Sequence, residues 1–206
     1  MMFREHQPKI GKFARTSADN MARVYTFVLM TIQQSLYTVP EMMQDIDARG
    51  EESRFLWGFK IPAYDWLQEH KETVYETAMT ISQGYADPSV RAKELLRYFA
   101  TLPGLGVIKG GFMAQLCFGV SGCFDTHNLR YFDIPALKFK ASRFKNASTQ
   151  LKAKIIQDYQ ALVKDKGGCE ALWDHWCKLV AQKQPIHYSS AYDVSEMHCR
   201  AIGVDI

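Results

Sequence analysis

Cysteine is scarce in this chain and poorly arranged for chemistry. The five cysteines, Cys117, Cys123, Cys169, Cys177 and Cys199, are odd in number, irregular in spacing and free of any Cys-x-x-Cys pair. A complete disulfide framework is excluded, and reduced thiols are expected. Cys177, His187, His198 and Cys199 lack the paired spacing that seeds a zinc site, so neither a metal nor a cofactor is expected. Long apolar runs are also missing. The longest segment, Val24 to Ile32, is too short and too interrupted to span a bilayer. No basic start leads into an apolar run, so the N-terminus does not read as a secretory signal, and a cytoplasmic protein without a membrane partner is expected. Strand-like alternation, internal repeats and low-complexity tracts are absent too. The 206 residues suit a single unit, and a formal net charge of +3 is too small for bulk composition to announce a nucleic-acid partner.

What is present is helical periodicity. Ser17 to Asp19 offers an N-cap before the stripe Met21, Val24, Tyr25, Val28, Leu29, Ile32 and Leu36. Pro40 sits in the first turn of a restart at Thr38–Glu41. Between Arg49 and Pro62 the pattern breaks around Trp57-Gly58-Phe59, and helices are predicted at Tyr64–His70, Lys71–Gln83 and Pro88–Ala100. Further helices are predicted over Ser148–Lys164 and Cys169–Gln182, parted by Lys166-Gly167-Gly168. The last twenty residues show no clear period. The class is all-α.

Residues 101–128, TLPGLGVIKGGFMAQLCFGVSGCFDTHN, carry the most information. A helix ends at Leu102, a Pro-Gly-x-Gly turn follows, and a second helix leads to Asp125-Thr126-His127-Asn128. Gly104 and Gly106 can adopt positive φ, which permits a tight turn with exposed backbone N–H groups at a helix N-terminus, a natural seat for phosphate. Downstream, Ile134 to Gln157 holds no acidic residue but includes Lys138, Lys140, Arg143, Lys145, Lys152 and Lys154, with Phe139 and Phe144 interleaved. Such a run beside a phosphate-binding turn reads as a continuation of a DNA-backbone track.

The pairing of Leu102-Pro103-Gly104-x-Gly106 with Phe124-Asp125-Thr126-His127 resembles the helix-hairpin-helix DNA glycosylase superfamily, the endonuclease III-like group. The resemblance is close over about 28 residues and loose over about 110. It implies a single unit over 1–206, with a helical core at 17–132 containing the hairpin at 88–128, and a second helical lobe at 133–206 packed with the N-terminus. It also implies duplex DNA as partner and Asp125 as the catalytic carboxylate, with His127 and Asn128 orienting the site. Leu102, Gly104, Gly106, Lys109, Lys138, Lys140, Arg143 and Lys145 become DNA-binding candidates. Gln33 and Gln34, at the end of Leu29-Met30-Thr31-Ile32, correspond to the glutamine that enters the space left by a flipped base. Two departures matter. Counted from Gly106, the Schiff-base lysine of bifunctional relatives falls at Ile108, and Lys109 is one residue late, about 100° round a helix. The cysteines after Cys169 are too few for the iron–sulfur loop of many relatives.

Three activities fit these residues. The first is a monofunctional glycosylase without lyase activity, in which a base, expected to be a modified pyrimidine, is flipped and Asp125 supports cleavage at the sugar. The second is the bacteriophage-type hypermodification branch, which joins an amino acid or polyamine to activated 5-hydroxymethyluracil in the cytoplasm of the host. There Asp125 would act as general base, and Lys109 or Arg130 would hold the leaving pyrophosphate. The third is a non-catalytic DNA reader on the same scaffold.

Overall fold

The computed structural model describes residues 2–206, and among these it is built of helices and turns with no strand. The α-helices are α1 (Met2–Ala14), α2 (Ala18–Met30), α3 (Val39–Arg49), α4 (Lys60–Gly84), α5 (Pro88–Thr101), α6 (Gly106–Phe118), α7 (Thr126–Tyr131), α8 (Ala141–Lys145), α9 (Thr149–Asp165), α10 (Gly168–Lys183) and α11 (Ala191–Ile202). None of the described helices is long and apolar enough to cross a membrane.

The centre is α2. Every residue from Val24 to Met30 is buried, so this helix is wrapped on all sides by α1, α3, α4, α6 and α11. Ser17 caps it, accepting from the Asn20 backbone N–H at 3.2 Å. The other organising unit is the pair α5 and α6, folded back on each other across Leu102–Leu105. Their approach depends on Gly110, where a Cβ would lie 2.7 Å from the Ala100 backbone nitrogen. Tyr25 ties the two units together by donating its hydroxyl to the Pro103 carbonyl at 2.6 Å.

Two apolar clusters result. The larger joins α1–α4 and one face of α5–α6 to α10 and α11. The smaller packs Phe139, Phe144, Ile156, Tyr159 and Val163 against Leu96, Val107 and Phe124. The C-terminal third is therefore divided, with α8 and α9 on one side of the hairpin and α10 and α11 on the main core with α1.

Two sequence expectations need correction, over 64–83 and at the C-terminus, and two further features had no expectation attached. Residues 2–14 form a helix despite Pro8, because Phe3, Ile10 and Ala14 are buried and Gly11 lets α1 approach the Cys117 carbonyl. The two helices expected over 64–83 are one. Their buried stripe of Ala63, Leu67, Val74 and Ala78 runs on without a breaker, and Pro62 falls within the first turn, where it is tolerated. The C-terminal residues that lack a visible period form α11, started by a capping box between Ser190 and Asp193. Its inward face includes the buried polar residues Ser195 and His198, which hide the apolar stripe. Phe139 and Phe144, interleaved in the cationic run, are core anchors, 1% and 2% exposed.

Candidate functional site

Asp125 lies at the start of α7, where the chain emerges from the short loop after α6. Tyr159 fixes that loop from beneath: its buried hydroxyl donates to the Gly122 carbonyl at 2.7 Å and accepts the Phe124 backbone N–H at 3.0 Å. Asp125 caps α7, its Oδ1 accepting from the backbone N–H groups of His127 and Asn128, each at 3.0 Å. Its Oδ2 accepts the indole N–H of Trp176 on α10 at 2.5 Å. Three donors from two distant parts of the chain thus hold one carboxylate in a single orientation.

That carboxylate stands at the junction of two concavities. The first is a cavity of about 130 Å³, whose lining includes Phe112, Gln115, Asn128, Trp173, Trp176 and His198. The second is an open groove of about 1090 Å³ running over the α5–α6 turn. Thr31, Gln34, Ser35, Lys109, Asp125 and His127 line both and so form the throat between them. Lys109 donates to the Thr31 hydroxyl at 2.9 Å and lies 5.3 Å from the Phe112 ring centre. His127 Nδ1 receives Lys183 Nζ at 3.2 Å. The throat therefore places an ammonium and a carboxylate on the walls of one opening. Burial pushes the nearby Cys123 thiol up to about 12, which keeps it uncharged and inert.

The groove is lined by the hairpin turn and by part of the cationic segment. Gly104 and Gly106 have φ of +78° and +66°, and a Cβ on Gly106 would meet Ala141 at 2.8 Å. This close approach lays the segment beside the N-terminus of α6, which has no side-chain cap for its free N–H groups. Lys140, Lys145 and Lys152 line the groove; Lys138 and Arg143 do not. Leu102 lines it too, and Gln33, exposed with φ of +59°, stands on its edge. Gln34 reaches the throat, one residue deeper. Phe59, a half-exposed aromatic, completes the rim. Lys60 is buried behind it, and desolvation, helped by the charge of Lys109, lowers its amine to about 8.

Lys109 shares the throat with Asp125 even though its register is one residue past the Schiff-base position implied by the family resemblance. Asn128 faces the cavity and is absent from the groove lining. Sequence reasoning missed Trp173 and Trp176, and it weighed His198 only as a zinc ligand that lacked partners at the right spacing. The two tryptophans belong to an inward stripe on α10 with Leu172 and Val180, a spacing that reads as ordinary core. Among the described residues no three His, Cys, Asp or Glu side chains come together as a metal site. Comparison with protein-family models, curated proteins and solved structures finds no match for this chain.

Proposed function

We propose that this protein is a DNA-binding enzyme on a helix-hairpin-helix glycosylase-like scaffold, which draws one pyrimidine out of a duplex and cleaves its bond to the sugar. The observation that carries this reading is the continuity of a lysine-lined groove with a small aromatic cavity, with Asp125 fixed at the opening between them. The phosphate backbone lies along the groove, held by the α6 N-terminus and by Lys140, Lys145 and Lys152. Gln33 fills the gap left in the stack. Its left-handed backbone is uncommon for a residue other than glycine, and such strain gathers at functional positions.

In the cleavage step the C1′–N bond breaks and its electron pair leaves with the base. Asp125 faces the cationic sugar carbon and then takes a proton from the water whose oxygen joins C1′, the proton passing on to the departing base. The fixed carboxylate needs no reorientation as charge develops. Lys109 supports the phosphate side of the throat, and the product is an intact abasic site.

A second reading rests on Lys109 alone. Its ammonium bonds to a neutral hydroxyl, which leaves a cation suited to a leaving pyrophosphate and so to transfer of an amine onto an activated 5-hydroxymethyluracil. One experiment separates the two. Duplexes carrying uracil, 5-hydroxymethyluracil or its pyrophosphorylated form are incubated with amines and either wild type or Asp125→Asn, and free bases and digested nucleosides are weighed by mass spectrometry. Free base that depends on Asp125, with no borohydride-trapped adduct, is the expected result. A heavier nucleoside with its sugar bond intact would replace the glycosylase reading with the transferase. Neither product would overturn both.

A further inference from the structure

The cavity has a polarity as well as a size. At about 130 Å³ it is comparable with the cavity of about 150 Å³ that takes up a single benzene ring. That volume matches one six-membered ring. Its walls are aromatic: Trp173 packs on the His198 ring at 4.4 Å and Trp176 lies 5.3 Å away.

Three residues lining this space, His198, Asn128 and Gln184, each carry a buried acceptor atom with no partner in the protein, and the two that lie beside the indoles and Asp125 are His198 Nε2 and Asn128 Oδ1. The Nδ1 of His198 donates to the Val194 carbonyl at 3.0 Å, which leaves Nε2 as a bare lone pair, and Nε2 is unpaired. His198 is 0% exposed. Desolvation lowers it to about 4, so near neutral pH it stays in that tautomer and only accepts. Asn128, 1% exposed, donates its amide to the carbonyls of Cys123 at 2.9 Å and Leu172 at 3.5 Å. Both partners are acceptors, so the amide cannot be reversed, and Oδ1 is the atom left unpaired. An unpaired buried acceptor is costly, and a ligand that brings N–H groups removes the cost.

We infer that His198 and Asn128 are specificity-determining residues that select a single-ring base presenting N–H donors, the ring imide of a uracil-type base or the amino group of cytosine. This rests on the proposed reading of the cavity as a base pocket, but its test does not need DNA. The intrinsic fluorescence of the full chain is titrated with free uracil, cytosine and 1,3-dimethyluracil, since Trp173 and Trp176 stand against the cavity.

Saturable quenching by uracil or cytosine, at least about tenfold tighter than by 1,3-dimethyluracil, is expected, because methylation leaves the acceptors unpaired. Which base binds more tightly assigns the donor. His198→Phe should abolish the preference and His198→Gln, which keeps an acceptor, should restore part of it, with circular dichroism confirming the fold. Equal affinities, or no quenching by any base, would overturn the inference, and the comparison of ligands on wild type holds even if the variants do not fold. Failure of duplex binding with the base preference intact would sink the DNA reading and leave this one standing.

Discussion

The two sides of the throat are built for opposite means of recognition, one exposed and charged, the other buried and aromatic. On the hairpin side, Lys140, Lys145 and Lys152 reach an open groove on flexible stems, and the free N–H groups of α6 need no burial to bind an anion. On the side where α10 and α11 close over Asn128 of α7, the lining is desolvated: two indoles, a neutral imidazole and an amide locked by backbone carbonyls. Exposed charge gives grip without selectivity, while fixed, buried acceptors give selectivity with little grip. The difference also explains how one carboxylate serves both. Asp125 takes two of its donors from α7, next to the hairpin, and the third from Trp176 on α10.

The most damaging way to break the contrast is to destroy both sides together. Gly110→Ala puts a methyl within 2.7 Å of backbone on α5, and the chain should lose about 3 kcal/mol, read as a lower urea midpoint. Acid should act on one side only. His198 is held at about 4 by burial against an ordinary 6.5, and burial lowers His6 and His175 in the same direction. The unfolded chain therefore binds protons that the folded one refuses. Stability is fully present above about pH 6.5 and is lost as pH falls towards 4, with His198 accounting for about 3 kcal/mol. In His198→Phe, urea midpoints should fall less over that window.

The groove is sharpened by salt. Replacing Lys140, Lys145 and Lys152 with alanine should reduce the slope of log affinity against log salt by about 3, with free-base quenching unmoved. The same change at Lys138 and Arg143, which do not line the groove, should move the slope less. The smallest effect is expected at Gln33. Glycine accepts its φ of +59° without strain, so Gln33→Gly should fold with a stability within about 1 kcal/mol of wild type while base release slows.

The same divide governs what could be read from sequence. The hairpin side was legible because its chemistry is local. Pro103, Gly104 and Gly106 encode a turn, Asp125 sits three residues before the backbone N–H it caps, and lysines without acids announce charge. The desolvated side was not legible. Trp176 lies 51 residues from Asp125, and Ser195 on α11 accepts from Trp173 and pairs with His6 of α1 across 189 residues. No local pattern reports such meetings. Helix α11 was missed for the same reason that it matters, since the polar residues it turns inward break its apolar period. The all-α class survived because the stripes of α2, α5 and α9 are carried by ordinary hydrophobic residues.

The most direct test is a crystal structure of Asp125→Asn bound to a duplex with one mispaired uracil, a variant that keeps a good N-cap for α7. The account predicts the phosphates along the hairpin groove, Gln33 in the stack, and the uracil in the cavity with its ring N–H towards His198 or Asn128. A duplex bound with its uracil still stacked, or bound on another face of the molecule, would contradict it.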